Sequence, residues 1–385
     1  MNRIYLDYNA TTPLKPAVYE GMLPYLRDEF GNPSSIHWAG RKGREALMIA
    51  RERVASLVHV DTEEIVFTSG GTEANNLALK GTFEKYKDKG RHIISSNVEH
   101  TSILDCLDHL KTQGAEVSYI TVNSDGLLDL DELKSVIRSD TILISVQAAN
   151  NETGVLMPVA KIGEIAKEKG ILFHMDAVQM LGKISLDLSK ISADMISLSS
   201  HKIYGPKGCG ALILRDQLKL EALLHGGNQE RKRRGGTENI PAIVGFGIAT
   251  ELCLKEGLED QERIRFLRDT LEEEISCHIS NSVIHGKASP RVPNTLNVGF
   301  KNIESESLLL NLDLQGIAAS SGAACSSGSL EPSHVLMAMG YSEISALSSV
   351  RFSLGYKTTR QEVEVVLELL PKIVSDLRNT KTQYA

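Results

Sequence analysis

The chain is poor in cysteine, and the cysteines it has are not spaced as pairs. Five in 385 residues, at positions 106, 209, 253, 277 and 325, are an odd number, scattered, with no C-x-x-C among them. That argues against a disulfide framework and against a structural zinc site. Long apolar runs are also missing: none approaches the roughly 18 residues that cross a bilayer. The start MNRIYLDYNATTPL has no basic region followed by an apolar core and a small-residue cleavage site. A cytosolic protein with no membrane partner is the expectation. There is no excess of positive charge either, since 42 Lys and Arg stand against 49 Asp and Glu for a formal net charge of -7. Nothing general therefore draws the chain to nucleic acid. The local run Arg231-Lys232-Arg233-Arg234 suits either an acidic partner or a solvated edge. Internal repeats and low-complexity segments are absent.

What is present is a chain long enough for one large domain plus a smaller one, with a hydrophobic fraction of 42% that supplies a sizeable core. From about residue 60 to 215, short β-type runs alternate with helical ones. EEIVFTS leads to TEANNLALKGTFEKYKDKG, HIISS to TSILDCLDHLKTQG, EVSYITV to DLDELKSVI, TILISVQ to VAKIGEIAKEKG, and ILFHMDAV onward to DMISLSS. This is the pattern of a mostly parallel sheet covered by helices, whose ligands bind beyond the carboxyl ends of the strands. After residue 240 a long helical region turns from apolar to charged before β-type runs resume at TLNVGF, GIAAS and VRFSLG. Its charged half reads as the passage into a second, smaller α/β domain. The boundaries expected are 16–258 for the large domain, with 1–15 and 259–385 forming the small one. The turn-rich stretch DEFGNPSSIHWAGRKG, with His37 and the only tryptophan, Trp38, reads as a surface loop or the rim of a site ahead of the helix REALMIARERVASLV.

The strand ends carry the chemistry. Gly70-Gly71-Thr72 opens a helix with small residues, free amides and a hydroxyl, which suits a phosphate. It has neither the G-x-x-x-x-G-K-[ST] nor the G-x-G-x-x-G spacing of a nucleotide site. His100 follows the next strand, as a ring that stacks on a flat ligand or merely starts a helix. Asn150 and Asn151 follow another and also fit a plain polar turn. Asp176 ends a further strand, with Gln179 three residues on; a carboxylate there is an N-cap or the partner of a ring nitrogen. Lys202 stands after the next one, in SSHKIYGPKG. Together a phosphate seat, a stacking ring, a carboxylate and a lysine suit pyridoxal 5'-phosphate, whose aldehyde takes a lysine as a Schiff base.

At these residues the sequence resembles the cysteine desulfurases of the NifS/IscS type, within the class V pyridoxal-phosphate-dependent aminotransferases. YLDYNATTP, GNPSSIH, FTSGGTEANN, VEHTSI, NNETG, HMDAVQ, SSHKIYGPKG, QERKRRGGTEN, SSGAACSSGSLEPSHVL and VRFSLG carry the resemblance over nearly the whole chain. It implies an α/β fold of the aminotransferase-like kind (fold type I). It implies that Lys202 anchors pyridoxal 5'-phosphate and takes the Cα proton, that Asp176 pairs with the pyridinium nitrogen, and that His100 stacks over the ring and carries protons. Gly71, Thr72, Ser199 and His201 would contact the phosphate, Gln179 the ring hydroxyl, and Asn151 both cofactor and substrate. Thr237 would reach the phosphate of a neighbouring subunit in a homodimer, and Arg351 would clamp the carboxylate of L-cysteine.

Cys325 differs from the other four cysteines, which sit in β-type or helical runs as small buried hydrophobes. It lies among Ser320, Ser321, Gly322, Ser326, Ser327 and Gly328, and the resemblance makes it the thiolate that receives sulfur as a persulfide. The sulfur would pass to an acceptor such as an iron–sulfur scaffold or to transfer-RNA thiolation. No resident metal is expected, and transient iron–sulfur ligation by Cys325 stays open. The alternatives are a selenocysteine lyase or another class V enzyme, which would not need the Cys325 segment, and a non-catalytic partner-binding protein that keeps the fold.

Overall fold

The computed structural model describes residues 3–321 and 331–383. In chain order its strands are β1 (Ile4–Tyr5), β2 (Ile65–Thr68), β3 (His92–Ser96), β4 (Glu116–Ile120), β5 (Thr141–Gln147), β6 (Leu172–Asp176), β7 (Met195–Ser199), β8 (Gly210–Leu214), β9 (Ser282–Ile284), β10 (Thr295–Phe300), β11 (Ile317–Ala318), β12 (Ser320–Ser321) and β13 (Ser349–Ser353). Its helices are α1 (Pro16–Arg27), α2 (Trp38–Val58), α3 (Gly71–Tyr86), α4 (Thr101–Thr112), α5 (Leu130–Val136), α6 (Val159–Lys169), α7 (Ile240–His278), α8 (Ser305–Leu314), α9 (His334–Ala338), α10 (Glu343–Ala346) and α11 (Arg360–Gln383).

Seven strands form the main sheet in the order β2-β8-β7-β6-β5-β3-β4. β8 runs antiparallel to both its neighbours, and the other pairings are parallel. Strands buried on both faces read as nearly unbroken apolar runs, and every residue of β5, TILISVQ, is buried. Alternation then sends side chains to two cores. Ile65, Phe67, Ile144, Val146, Phe173 and Ile196 pack with residues of α1, α2, α6 and the first half of α7. Val66, Ile93, Leu143, Met195 and Leu212 pack with α3 and α4.

A second, antiparallel sheet has the order β12-β13-β10-β9, and β1 pairs separately with β11. Leu296, Val298, Phe300, Val350 and Phe352 pack there against Ile264, Leu267, Leu271 and Ile275 of α7 and against α8 and α11. One helix of 39 residues therefore serves both bodies, which is why its composition changes midway. Ile4 and Leu6 join this second core. Val335, Leu336, Met339 and Ala346, from the stretch assigned to the small domain, pack instead with the first core.

Two readings of the sequence are corrected. The helix before the main sheet starts at Trp38 rather than at REALM, with the His37 ring accepting from Gly40 N. Gly40 and Gly43 looked like loop glycines; they let the helix press onto carbonyls of Ser35, Asn32 and Gly31, which a Cβ would strike. Cys277 is exposed rather than a buried hydrophobe, because it falls off the Leu267, Leu271, Ile275 stripe of α7.

Candidate active site

β2, β3, β5, β6 and β7 all run in one direction, so the turns after them gather at one edge of the sheet. At that edge α3 begins with Gly70 at φ 155° and Gly71 at its first turn. The first amides of a helix have no intrahelical acceptor. Beside them, Ser199 Oγ is buried without a hydrogen-bond partner. A Cβ on Gly71 would come within 2.9 Å of Val178 Cγ2 and 3.6 Å of Ser199 Cβ, so the glycine keeps this corner open. An unsatisfied buried hydroxyl beside free helix amides is what an anion would repair. The residues fit a phosphate.

Lys202 closes a short 3-10 turn after β7. Its Nζ donates to the carbonyls of Asn9 at 2.6 Å and Ala10 at 2.8 Å. The N-terminal segment is thereby strapped to the main sheet, helped by Thr12, whose N and Oγ1 both donate to the His201 carbonyl. His201 Nδ1 lies 3.2 Å from Thr11 Oγ1. Burial, with Lys202 and Lys207 nearby, pushes its pKa down to about 4. His201 is therefore a neutral ring at pH 7.

Asp176, at the end of β6, accepts from Asn75 Nδ2 at 2.8 Å through Oδ2 and from Val178 N at 2.9 Å through Oδ1. Asn75 Nδ2 also donates to Ser102 Oγ at 2.9 Å, and Ser102 Oγ lies 2.9 Å from His100 Nδ1. A polar chain thus runs from Asp176 through Asn75 and Ser102 to His100. His100 is the N-cap of α4, its Nδ1 accepting from Ser102 N at 3.0 Å. A backbone N–H can only donate, so Nδ1 holds the lone pair and Nε2 the hydrogen. Burial lowers the pKa of the ring, Lys202 and His334 lower it further, and Asp176 opposes them. At His100, where a proton carrier is expected, the ring carries its hydrogen on Nε2.

The two asparagines after β5 separate in role. Asn150 Oδ1 accepts from Glu152 N, Thr153 N and Thr153 Oγ1 and so builds the turn. The Asn151 carbonyl accepts from Arg351 Nη1 at 3.0 Å and from Asn9 Nδ2 at 3.1 Å. Arg351, 3% exposed on β13, also donates from Nη2 to Asp7 Oδ1 at 2.8 Å, while its Nε has no partner. A buried guanidinium with a carboxylate already beside it is a ready seat for another. Gln179 Nε2 donates to the Asn9 carbonyl at 3.0 Å.

Asn9, Asn75, Ser102 and Asp7 were not singled out in the sequence, although Asn9, Asn75 and Asp7 sit inside the conspicuous stretches YLDYNATTP and FTSGGTEANN. Asn9 and Asn75 are buried and Asp7 and Ser102 half-buried, and burial of a polar side chain is a signal that no spacing rule reveals. Thr237 is exposed and lines a cavity of about 150 Å³ with Ser69, Gly208 and Arg234. The basic run is largely spent within the chain: Arg234 pairs with Glu73, Arg231 with Glu63, and Arg233 donates to the Ile65 carbonyl. Cys325 lies outside the described residues. No cluster of His, Cys, Asp and Glu able to hold a metal occurs among the described residues, and none of their helices is long and apolar enough to cross a membrane.

Residues 4–366 match the family described as aminotransferase class-V. The chain is 47% identical to "Cysteine desulfurase IscS" of Dictyoglomus turgidum over 97% of its own length and 95% of that protein. A solved "NIFS-LIKE PROTEIN" superposes with a TM-score of 0.91 at 37% identity, covering 98% of this chain and all of that one. A structure titled "SspA in complex with cysteine" matches at TM-score 0.82 and 36% identity over 93% of this chain and 100% of its own.

Proposed function

This chain belongs to the aminotransferase class-V family, and from that membership and the geometry at the sheet edge we propose that it is a cysteine desulfurase using pyridoxal 5'-phosphate. One observation carries the cofactor reading: orphaned Ser199 Oγ beside the open start of α3, with Asp176 and Lys202 following adjacent strands of the same sheet. The solved relative that holds cysteine supports the choice of substrate.

When bound, pyridoxal 5'-phosphate offers an aldehyde for covalent attachment and a ring that draws electrons from the substrate's Cα. The amides of Gly71 and Thr72, with Ser199 Oγ and the neutral His201 ring, hold its phosphate. Asp176, itself fixed by Asn75 and Val178, holds a proton on the ring nitrogen. His100 covers the ring, Gln179 meets the ring oxygen, and Asn151 flanks the substrate. Thr237, exposed on this chain, serves the phosphate of a second copy. Arg351 orients L-cysteine by its carboxylate, and Lys202 Nζ takes the Cα proton. Cys325 as thiolate attacks the substrate sulfur; the S–S bond forms as the C–S bond breaks, the β-carbon left behind gains a proton and Cα regains the one that Lys202 removed, so L-alanine leaves and a persulfide remains.

The homodimer in this reading is supported by large apolar side chains left in solvent within one stretch of chain, Leu26, Phe30, Ile36 and Trp38, 60 to 87% exposed. A reducing cytosol suits Cys106, Cys209, Cys253 and Cys277, all free thiols. The sulfur acceptor belongs to the proposal as a protein such as an iron–sulfur scaffold. Persulfide trapping after incubation with L-cysteine tests the whole: label at Cys325, lost in Cys325→Ala together with alanine production, is the expected result. Undiminished sulfur release by Cys325→Ala would sink the desulfurase reading. Borohydride-reduced wild type should retain cofactor covalently, and Lys202→Ala should not.

A further inference from the structure

Lys183 is a second lysine at this site, 8% exposed, with no task in the mechanism above. A lysine so deeply buried ordinarily faces a carboxylate. The hydrogen-bond partners of Lys183 are instead two amide oxygens, Asn9 Oδ1 at 2.9 Å and Gln179 Oε1 at 2.5 Å. Burial drives its pKa well below the ordinary lysine value, and the charges of Lys202 and Arg351 add to that. Placing an amine there costs stability, which argues that it does something a methionine would not.

The Gln179 carboxamide is gripped at both ends. Its oxygen meets Lys183, and Nε2 donates to the Asn9 carbonyl at 3.0 Å, the same carbonyl that accepts from Lys202 Nζ at 2.6 Å. A backbone carbonyl only accepts, so the nitrogen end is assigned unambiguously and the oxygen end falls to Lys183. One hydrogen on Nε2 is left over. Donation to the oxygen of an amide strengthens donation by its nitrogen.

We infer that Lys183 is a positioning residue: it fixes and polarises the Gln179 carboxamide so that the remaining Nε2–H is a strong donor to the oxygen on the cofactor ring. The inference rests on the cofactor reading above. A strong donor to that oxygen steadies its negative charge and makes the adjoining nitrogen of Lys202 easier to deprotonate. The other groups facing this corner are Arg351 with its partner Asp7, Asp176 and His100 near Lys202, and Tyr8 and Tyr204, which line one small cavity with both lysines. Burial raises both tyrosines, Tyr8 to about 12, so neither ionises near neutrality.

The test is a spectrophotometric pH titration of the bound cofactor in wild type, Lys183→Met, Lys183→Gln and Gln179→Leu. Lys183→Met should raise the protonation midpoint of the chromophore by about one pH unit. Gln179→Leu should raise it as far, while Lys183→Gln, a neutral donor one bond shorter, should recover part of the difference. An unmoved midpoint in Lys183→Met overturns the inference. So does a shift in Lys183→Gln as large as in Lys183→Met, which would make charge alone the cause. If Lys183→Met fails to fold, an unmoved midpoint in Gln179→Leu is equally fatal. A wild-type protein that takes up no cofactor and shows no band refutes the cofactor reading, and this inference with it, through a result distinct from a failed shift.

Discussion

Arg351 and Glu99 are buried ionisable residues whose surroundings decide what each can do. Arg351 holds Asp7 with one Nη and the Asn151 carbonyl with the other. Breaking one side of such a pair leaves an uncompensated charge, so Asp7→Asn should cost about 3 kcal/mol in urea unfolding. A carboxylate ligand then has more to offer the variant than the wild type, and L-alanine should raise the Tm of Asp7→Asn further. Equal increments in the two proteins would mean that Arg351 does not bind the ligand's carboxylate. Glu99 is the opposite case: burial pushes its pKa up to about 8, although Ser96 Oγ and Gln147 N donate to it. Because the folded value lies above the ordinary one near 4.5, the folded protein binds more protons than the unfolded chain between those values. Its contribution is whole below about pH 4.5 and is lost as pH rises through about 8. Glu99→Gln should flatten the decline in Tm from pH 5 to 8, against a wild-type loss on the order of 3 kcal/mol. Parallel Tm profiles for the two proteins would show Glu99 already ionised.

Among the elements, α3 joins local propensity to the site. Gly71 has a negative φ, so its backbone accepts alanine, and alanine in a helix is worth up to about 1 kcal/mol over glycine. Its Cβ, however, would press on Val178 and face Ser199. Gly71→Ala should therefore leave the unfolding free energy of the cofactor-free protein within about 1 kcal/mol of wild type and weaken cofactor uptake at least about tenfold, a loss of some 1.4 kcal/mol. Unimpaired titration with pyridoxal 5'-phosphate would remove the phosphate from this helix start. The strands and helices of the main sheet were legible because apolar runs bounded by turn residues dominate 60–215, and β5 coincides residue for residue with TILISVQ. The start of α2 was not, since glycines that allow close approach of carbonyls resemble those that end helices. Polar positions at strand ends were legible, as those of Asp176 and Lys202 were. Asn75, Ser102 and Lys183 were not, because they lie inside helices or turns and act through hydrogen bonds that only the folded chain brings together.

Across the whole molecule, α7 is a single continuous helix packed into both bodies. Ala242, Ile243, Phe246 and Ala249 belong to the first core, and Ile264, Leu267, Leu271 and Ile275 to the second. Between them lies Gly257, where a Cβ would meet nothing within 4 Å. An unbroken helix through both cores makes the unfolding of one expose the other's packing surface, and such coupling produces a single cooperative transition. Gly257→Ala adds helix propensity without a clash and should stabilise the chain by about 0.5–1 kcal/mol, still with one transition. Gly257→Pro removes a hydrogen bond and forces a kink, about 3 kcal/mol or more at that point. Calorimetry of Gly257→Pro should split the endotherm in two, with the second sheet and α11 melting first because their core is the smaller. A single sharp endotherm in the proline variant would show that the strapping of the N-terminal segment, through Lys202 to Asn9 and Ala10 and through β1 to β11, couples the bodies without the helix.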